Sequence, residues 1–436
     1  MLTKKLSLMF VLALGLSFTG CSDDSDVPAN GYIEVTQQGS STVILKGYAN
    51  SNEGFSVFET EEFSKPFYIQ DKKFTGSAWR FVQAGEGALE SMSGVPADNA
   101  WQETAEVVEG KNYWARYKGA TKYTFLKLRV AYIQGNNVAI EYIVDSSKDR
   151  DLSENGNANA AVGDNVSVTS YEIPYLNAAN HYVAHFVEAG GEQMLNYALE
   201  WNEEKQHAAW VAFSFDKVTA QKNVQRAPDD AWSQDPELPE GIKQPEESNH
   251  KSDGYDKGHL CASNDRAYSE EANWQTFYYT NISPQFSSFN QGFWQGLEEQ
   301  VQQWGASCLT DVYDKLYITK GGTIDNLLTN FKGSVAAADS KYPTTDANGF
   351  TPKGLACPKY YFMAILSQKG DTYHAIGFWV EHKEDWPKKP TADQLKACAV
   401  SIDDLEVNTG LDFFCNLPDV IEDEVESSCN VNDWAW

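Results

Sequence analysis

An α+β domain preceded by a small all-β module is the fold class that the sequence predicts, on three observations. The chain has 436 residues, more than one ordinary domain holds. Its first third is a series of short aromatic and β-branched segments separated by Gly, Asn and Asp, the mark of an antiparallel module. Past a polar stretch, strand-like runs and a segment of helical spacing occur in one region, which is the signature of an α+β domain. Hydrophobic residues make up 42% and aromatics 13%, enough to build sizeable cores.

The elements follow in order. Residues 1–20 read as a secretory signal, with Lys4 and Lys5 ahead of an apolar run that is short for a membrane span. Gly20-Cys21 resembles the lipobox of bacterial lipoproteins, which makes Cys21 the residue expected to carry lipid; the alternative is an ordinary signal peptide with an incidental cysteine. Residues 21–30 are acidic and suit a solvated tether, similar to those of Bacteroidota lipoproteins. On this reading the protein is exported and anchored to the outer membrane through lipid on Cys21, facing the cell surface. No protein partner is implied.

The β module is expected over 31–144, with strands at 41–45, 67–69, 113–117, 123–133 and 137–144 and a hairpin turn at Gly135-Asn136. Residues 145–169 read as a linker, since 145–165 is rich in Ser, Asp, Asn, Gly and Ala without apolar periodicity. The second domain, 170–436, begins with strands at 181–187, 196–201 and 207–215. A long polar excursion follows to Tyr255. The spacing of Phe293, Trp294, Leu297 and Val301 predicts a helix over 290–304. Strands at 315–319, 360–366 and 374–381 come next, then a short helix over 403–410 ending at Gly410.

Charge excludes one class of surface. A formal net charge of −28 and a pI near 4.6 oppose a broad basic face for nucleic acid. A catalyst needs only a local group of cations, so salt-sensitive substrate binding is what remains. Six cysteines follow Cys21, and an even number in an exported chain favours disulfide staples. None has the spacing of a CxxC zinc site, and a metal site is the lesser alternative.

One constellation carries chemistry. Asp256-Lys257-Gly258-His259-Leu260, then 279–285 (Tyr-Thr-Asn-Ile-Ser-Pro-Gln) and 290–298 (Asn-Gln-Gly-Phe-Trp-Gln-Gly-Leu-Glu) together resemble the DNA/RNA non-specific endonucleases, the family that includes the Serratia nuclease and mitochondrial endonuclease G. The likeness covers most of 180–425 and takes in 210–213, 316–324 and 409–414. It implies a ββα-metal nuclease domain with a mixed or antiparallel sheet, a metal-dependent endonuclease acting on DNA and RNA without strong sequence preference, and Mg2+ or Mn2+ as cofactor.

The residues can also be read directly. Phosphodiester hydrolysis needs a base for water, a cation for the leaving oxygen and positive charge on the phosphate. Among seven histidines, only His259 lies in a Gly-containing turn flanked by charged residues. A neutral imidazole suits the base, and Gly258 would let the backbone turn and approach phosphate. A structural histidine is the plainer alternative for such a motif standing alone. Asn290 offers a neutral oxygen to a hard cation, or caps the helix; both readings stand. Positions 290, 294 and 298 would form one ridge, from which Glu298 could reach back toward Asn290 and hold a water of the ion; otherwise it is a solvated charge.

The resemblance assigns metal binding to Asn290 and support to Glu298 and Asn281, the amide of Asn281 orienting either the His259 loop or the phosphate. Asp256 is expected to fix the loop by accepting backbone hydrogen bonds. Lys257 departs from the family, which generally has Arg there, and a point charge orients phosphate less well than a planar fork. Arg226 is the candidate for a second phosphate contact. Arg266 either touches phosphate or pairs with nearby acids. His181 and His185 lack the glutamate of a zinc motif and are expected to line a strand, and Lys320-Gly321-Gly322-Thr323 is not a P-loop because its lysine precedes the glycines. Two other classes compete with the endonuclease: a surface lipoprotein with a degenerate nuclease fold acting as a binding module, and a phosphodiesterase acting on small nucleotides.

Overall fold

The computed structural model describes residues 32–37, 40–46, 48, 63, 65–96, 100–161, 167–189 and 191–436. The signal segment, the acidic tether and Cys21 lie outside the described residues. The chain divides into two compact units, one of Met1–Pro96, Trp101–Gly119 and Thr124–Asp149, the other of Ala97–Ala100, Ala120–Tyr123 and Arg150–Trp436.

The first unit is all β. Its main sheet contains β1 (Tyr32–Gln37), β2 (Ser40–Lys46), β5 (Trp79–Glu86), β7 (Lys111–Lys118), β8 (Lys122–Gln134) and β9 (Asn137–Val144) in the order β1-β2-β9-β8-β7-β5. A small sheet is formed by β3 (Tyr68–Gln70), β4 (Lys73–Thr75) and β6 (Thr104–Glu106). Gly135 and Asn136 form the two-residue turn expected of them, with Gly135 at φ 60° and Gln134 paired to Asn137. Aromatic rings fill the core. Phe67 packs edge-on to Phe74, Trp79 and Phe81, a large apolar area whose one polar group, the Trp79 indole N–H, donates to the Lys65 carbonyl at 2.8 Å.

The second unit opens with the two-residue strand β10 (Arg150–Asp151). Its centre is an antiparallel sheet in the order β11-β12-β13-β16-β17-β18-β19, made of β11 (His181–Ala189), β12 (Glu192–Asn202), β13 (His207–Phe215), β16 (Lys315–Gly322), β17 (Tyr360–Lys369), β18 (Thr372–Glu381) and β19 (Ala399–Val400). Period-two alternation divides its central strands between two cores. Tyr361, Met363 and Ile365 of β17 point to one face, where they meet Leu297, Val301 and Trp304 of helix α2 (Gln295–Ala306). Phe362, Ala364 and Leu366 point to the other, against Ile402 and Leu405 of α4 (Ile402–Thr409) and Ile421 and Val425 of α5 (Asp419–Glu426). Each of the Leu, Ile, Val, Met and Phe side chains among these contributes roughly 1.5–3 kcal/mol on burial relative to exposure.

Two shorter helices, α1 (Glu270–Gln275) and α3 (Ala392–Lys396), begin at Ser269 and Thr391, whose side chains accept the backbone N–H groups of Ala272 and Gln394. Helix α4 ends at Gly410, as its sequence requires, in the left-handed conformation with φ 71°. Across the first face runs a two-stranded ribbon of β14 (Asp256–His259) and β15 (Ile282–Gln285), leading into α2. Ribbon and helix make a ββα unit laid on the sheet.

Three expectations are corrected here. All six cysteines from Cys261 to Cys429 are free thiols; Cys261, Cys308 and Cys357 sit in the apolar core, where burial rather than pairing accounts for them. The polar stretch at 153–161 is not a loose connection. Asn155 donates to the Cys415 carbonyl at 2.9 Å, Gly156 N–H to Asp419 at 2.8 Å and Asn159 to the Pro174 carbonyl at 3.0 Å, so its asparagines bind the second unit. The helix over 290–304 is two segments: a π turn at Phe289–Trp294 with Gly292 at φ −132°, ψ −106°, then α2. No helix among the described residues is long and apolar enough to cross a membrane.

Candidate active site

Strand β14 carries Lys257 and His259, and its register pairs Lys257 with Pro284, Gly258 with Ser283 and His259 with Ile282. Gly258 is required for packing. A Cβ there would lie 2.3 Å from the Gln285 side chain, while its backbone is extended rather than left-handed. The glycine therefore admits Gln285 and does not form the turn that the motif suggested.

His259 stands in an aromatic recess. Its ring centroid is 5.3 Å from Trp232 and 5.1 Å, edge-on, from Phe277. Nε2 is shielded from solvent and accepts or donates no hydrogen bond within the chain. Burial, followed by the charge of Arg226 and Lys257, pushes its pKa down to about 3, so the imidazole is neutral at ordinary pH. Two cations flank it on the same rings: Lys257 Nζ lies 3.7 Å over Trp232 and Arg226 Cζ 4.7 Å over Phe277. Arg226, far away in sequence, is thus brought to the motif.

Below the recess lies a buried ion triad. Lys320, on β16 and fully buried, donates to Asp265 at 2.9 Å and to Glu298 at 3.1 Å. Asp265 also accepts from Gln302 of α2 at 2.8 Å and from Ala262 N–H at 3.0 Å, joining the loop after His259 to the helix. Burial pushes Glu298 up to about 7 against the pull of Lys320. Burial raises Asp265, but Lys320, Lys222 and Gln302 together outweigh it and hold that carboxyl below the usual range. The two carboxyl groups share one ammonium, and Lys222 adds a second positive charge acting on Asp265.

Asn290 sits in the π turn, not at a helix cap, since Ser288 occupies the cap position. Its amide nitrogen donates to Asp256 at 3.1 Å, and Gln291 donates to the same carboxylate oxygen at 2.8 Å. Asp256 therefore accepts side-chain rather than backbone hydrogen bonds, tying β14 to the π turn. This fixes the orientation of the Asn290 amide. The unit-wide ridge through 290, 294 and 298 does not form, because the π turn interrupts it and Trp294 is wholly buried. Glu298 reaches Lys320 instead of Asn290.

Asn281 is buried and fully used. Its amide oxygen accepts Cys261 N–H at 2.8 Å, and its amide nitrogen donates to the Cys261 carbonyl at 2.9 Å and the Thr276 carbonyl at 2.7 Å. It holds the loop after His259 and has no group left for phosphate. Arg266 is buried as well, donating to the carbonyls of Asn196 at 3.2 Å and Ser214 at 3.0 Å; it neither pairs with an acid nor reaches substrate. His185 pairs with Asp235 at 2.9 Å in the core rather than lining a strand surface.

The model of the DNA/RNA non-specific endonucleases matches residues 177–420, more than half of the chain. The chain belongs to that family. Its relatives include a protein named Nuclease from Nostoc sp., 29% identical over 234 residues that cover 53% of this chain and 75% of that one. Nuclease EXOG, mitochondrial, of Danio rerio is 27% identical over 253 residues, 56% of this chain and 66% of its own length. Nuclease C1 of Cunninghamella echinulata var. echinulata is 26% identical over 225 residues, 51% of this chain and 81% of its own. As a member of the family, the protein is a hydrolase that cleaves nucleic acid at phosphodiester bonds.

Within this endonuclease fold, sequence reasoning missed Lys320 and Asp265, which form the triad, and Trp232 and Phe277, which shape the recess. The signal for Lys320 was its place after the strand-forming run Leu316-Tyr317-Ile318-Thr319, where an unpaired lysine would not be buried.

Proposed function

We propose that the protein is a metal-dependent endonuclease acting on DNA and RNA without strong sequence preference, with His259 as general base. The observation that carries this is Nε2 of His259: shielded, without a hydrogen-bond partner, and neutral between two cations and a buried acidic group. A buried imidazole nitrogen left unsatisfied costs about 1–3 kcal/mol; His250 Nε2 is unpartnered as well, and what sets His259 apart is that Lys257 and Arg226 flank it. A substrate water supplies the missing partner.

The donor set suits a hard divalent cation, Mg2+ or Mn2+. Asn290 offers an oriented amide oxygen, and Asp256, which holds that amide, adds a carboxylate beside it. Asn290 would hold the ion and Glu298 would support its hydration. When bound, the cation supplies positive charge for the oxygen that leaves phosphorus.

The chain's own residues do the rest. Nε2 of His259 takes a proton from water as the water oxygen bonds to phosphorus and the opposite P–O bond breaks. Lys257 and Arg226 offset charge on the non-bridging oxygens, held in place by Trp232 and Phe277. These rings also keep bulk water from the imidazole. Asn281 and Asp256 act at one remove, by fixing the loop and the π turn.

Plasmid nicking with and without Mg2+ tests this reading. Cleavage that needs the ion and is lost in His259→Ala supports it; cleavage that persists in His259→Ala removes the mechanism, and absence of any ion-dependent cleavage at high enzyme concentration favours a degenerate fold.

A further inference from the structure

On the opposite face of the sheet, helices α4 and α5 gather acid. Asp403, Glu406 and Glu426 each offer a carboxylate oxygen, and these three oxygens lie within 4.8 Å of one another. Exposure falls from one to the next: Asp403 is exposed, Glu406 half-buried and Glu426 only 6% exposed. Neighbouring carboxylates have partners. Glu406 accepts Phe413 N–H at 2.7 Å, Glu422 accepts the Asn157 amide at 2.9 Å and Asp412 accepts the same amide at 3.3 Å.

Glu426 is different. Its Oε1 is shielded from water and accepts no hydrogen bond, a condition that is costly for any buried carboxyl oxygen. Among the described residues no lysine or arginine forms an ion pair with any of these five acids.

We propose that Asp403, Glu406 and Glu426 form a second divalent-cation site, separate from Asn290, which takes Ca2+. Three carboxylates binding through one or both oxygens supply much of the six- to eight-fold oxygen shell that Ca2+ accepts in irregular geometry, with water completing it on the exposed Asp403 side. Mg2+ demands a regular octahedron and keeps its own waters, which a buried carboxylate does not favour. The ion gives the buried Glu426 carboxyl a partner and cross-links α4 to α5 over the outer core. Its role is stabilising.

The test is Ca2+ binding by calorimetry, with thermal melting, on the full chain freed of metal by chelator. Wild type and Asn290→Ala are expected to bind Ca2+ at this site and to melt at higher temperature with it. Glu426→Gln, which keeps shape but removes one carboxylate oxygen, should lose the Ca2+ response. Should Glu426→Gln not fold, Asp403→Asn on the exposed rim is expected to weaken Ca2+ binding at least tenfold. A Ca2+ response that survives unchanged in Glu426→Gln or Asp403→Asn, or one abolished by Asn290→Ala, overturns the proposal, as does a wild-type chain that neither binds Ca2+ at millimolar concentration nor melts higher with it.

Discussion

At the scale of single residues, the account turns on a histidine kept neutral by its surroundings. An ordinary imidazole titrates near 6.5, whereas burial and two nearby cations push His259 down to about 3. A base with a depressed value stays available as pH falls through 6.5 and is lost only on approach to its lower value. The acidic limb of kcat/KM is therefore expected well below pH 6.5, and a limb centred at 6.5 in a pH–rate profile at saturating metal would contradict the assigned environment. Lys257 is the second informative residue. It occupies a position where the family generally has Arg, and its ammonium rests on Trp232 rather than in a bidentate fork. Lys257→Arg is expected to keep or raise kcat/KM, and Lys257→Ala to lower it by about 10- to 100-fold through lost charge; equal rates for all three in steady-state assays would remove Lys257 from the site.

At the scale of elements, the site depends on how the ribbon, β16 and α2 are held together. Lys320→Met strips the counter-charge from two buried carboxylates, and a loss of about 3–5 kcal/mol in denaturant unfolding is expected, since breaking a buried pair leaves uncompensated charge. Adding Asp265→Asn should recover part of it. Gly258→Ala drives a methyl into Gln285, and about 1–3 kcal/mol of stability together with most activity should go, because His259 is the next residue on that strand. Much of this region was legible. The run His207–Phe215 announced its strand by β-branched and aromatic content, and the blocks around His259 and Asn290 announced the ββα unit. The π turn was not, because the spacing of Phe293, Leu297 and Val301 continues smoothly through it and Gly292 alone marks the break. Arg266 was hidden for another reason: its partners are backbone carbonyls, which no side-chain pattern reveals. The cysteines misled because the inference ran from compartment to pairing, while burial in the core satisfied them singly.

At the scale of the whole molecule, a formal net charge of −28 has to coexist with a polyanionic substrate. Lys257 and Arg226 supply a local pair of cations on the rings beside His259. Two phosphate-directed groups imply a shallow dependence on salt: for duplex DNA, log(1/KM) against log[salt] should fall with a slope of about −2, near −0.9 per contact. A slope several times steeper would point to a wider basic track that the described residues do not show. Buried neutral histidines affect stability too. His207, His250 and His382 are pushed down to about 4, 3 and 3, mainly by burial. Unfolding restores the ordinary value near 6.5, so their contribution is complete above that pH and is lost as pH falls toward the folded values. The central claim, that His259 drives ion-dependent cleavage of nucleic acid, is tested most directly by one measurement: digestion of single- and double-stranded DNA and RNA by wild type and His259→Ala, with Mg2+ and with chelator. The account predicts cleavage of all four substrates by wild type with Mg2+ and a loss of about 10²–10⁴-fold in His259→Ala, while undiminished cleavage by His259→Ala, or by wild type in chelator, would contradict it.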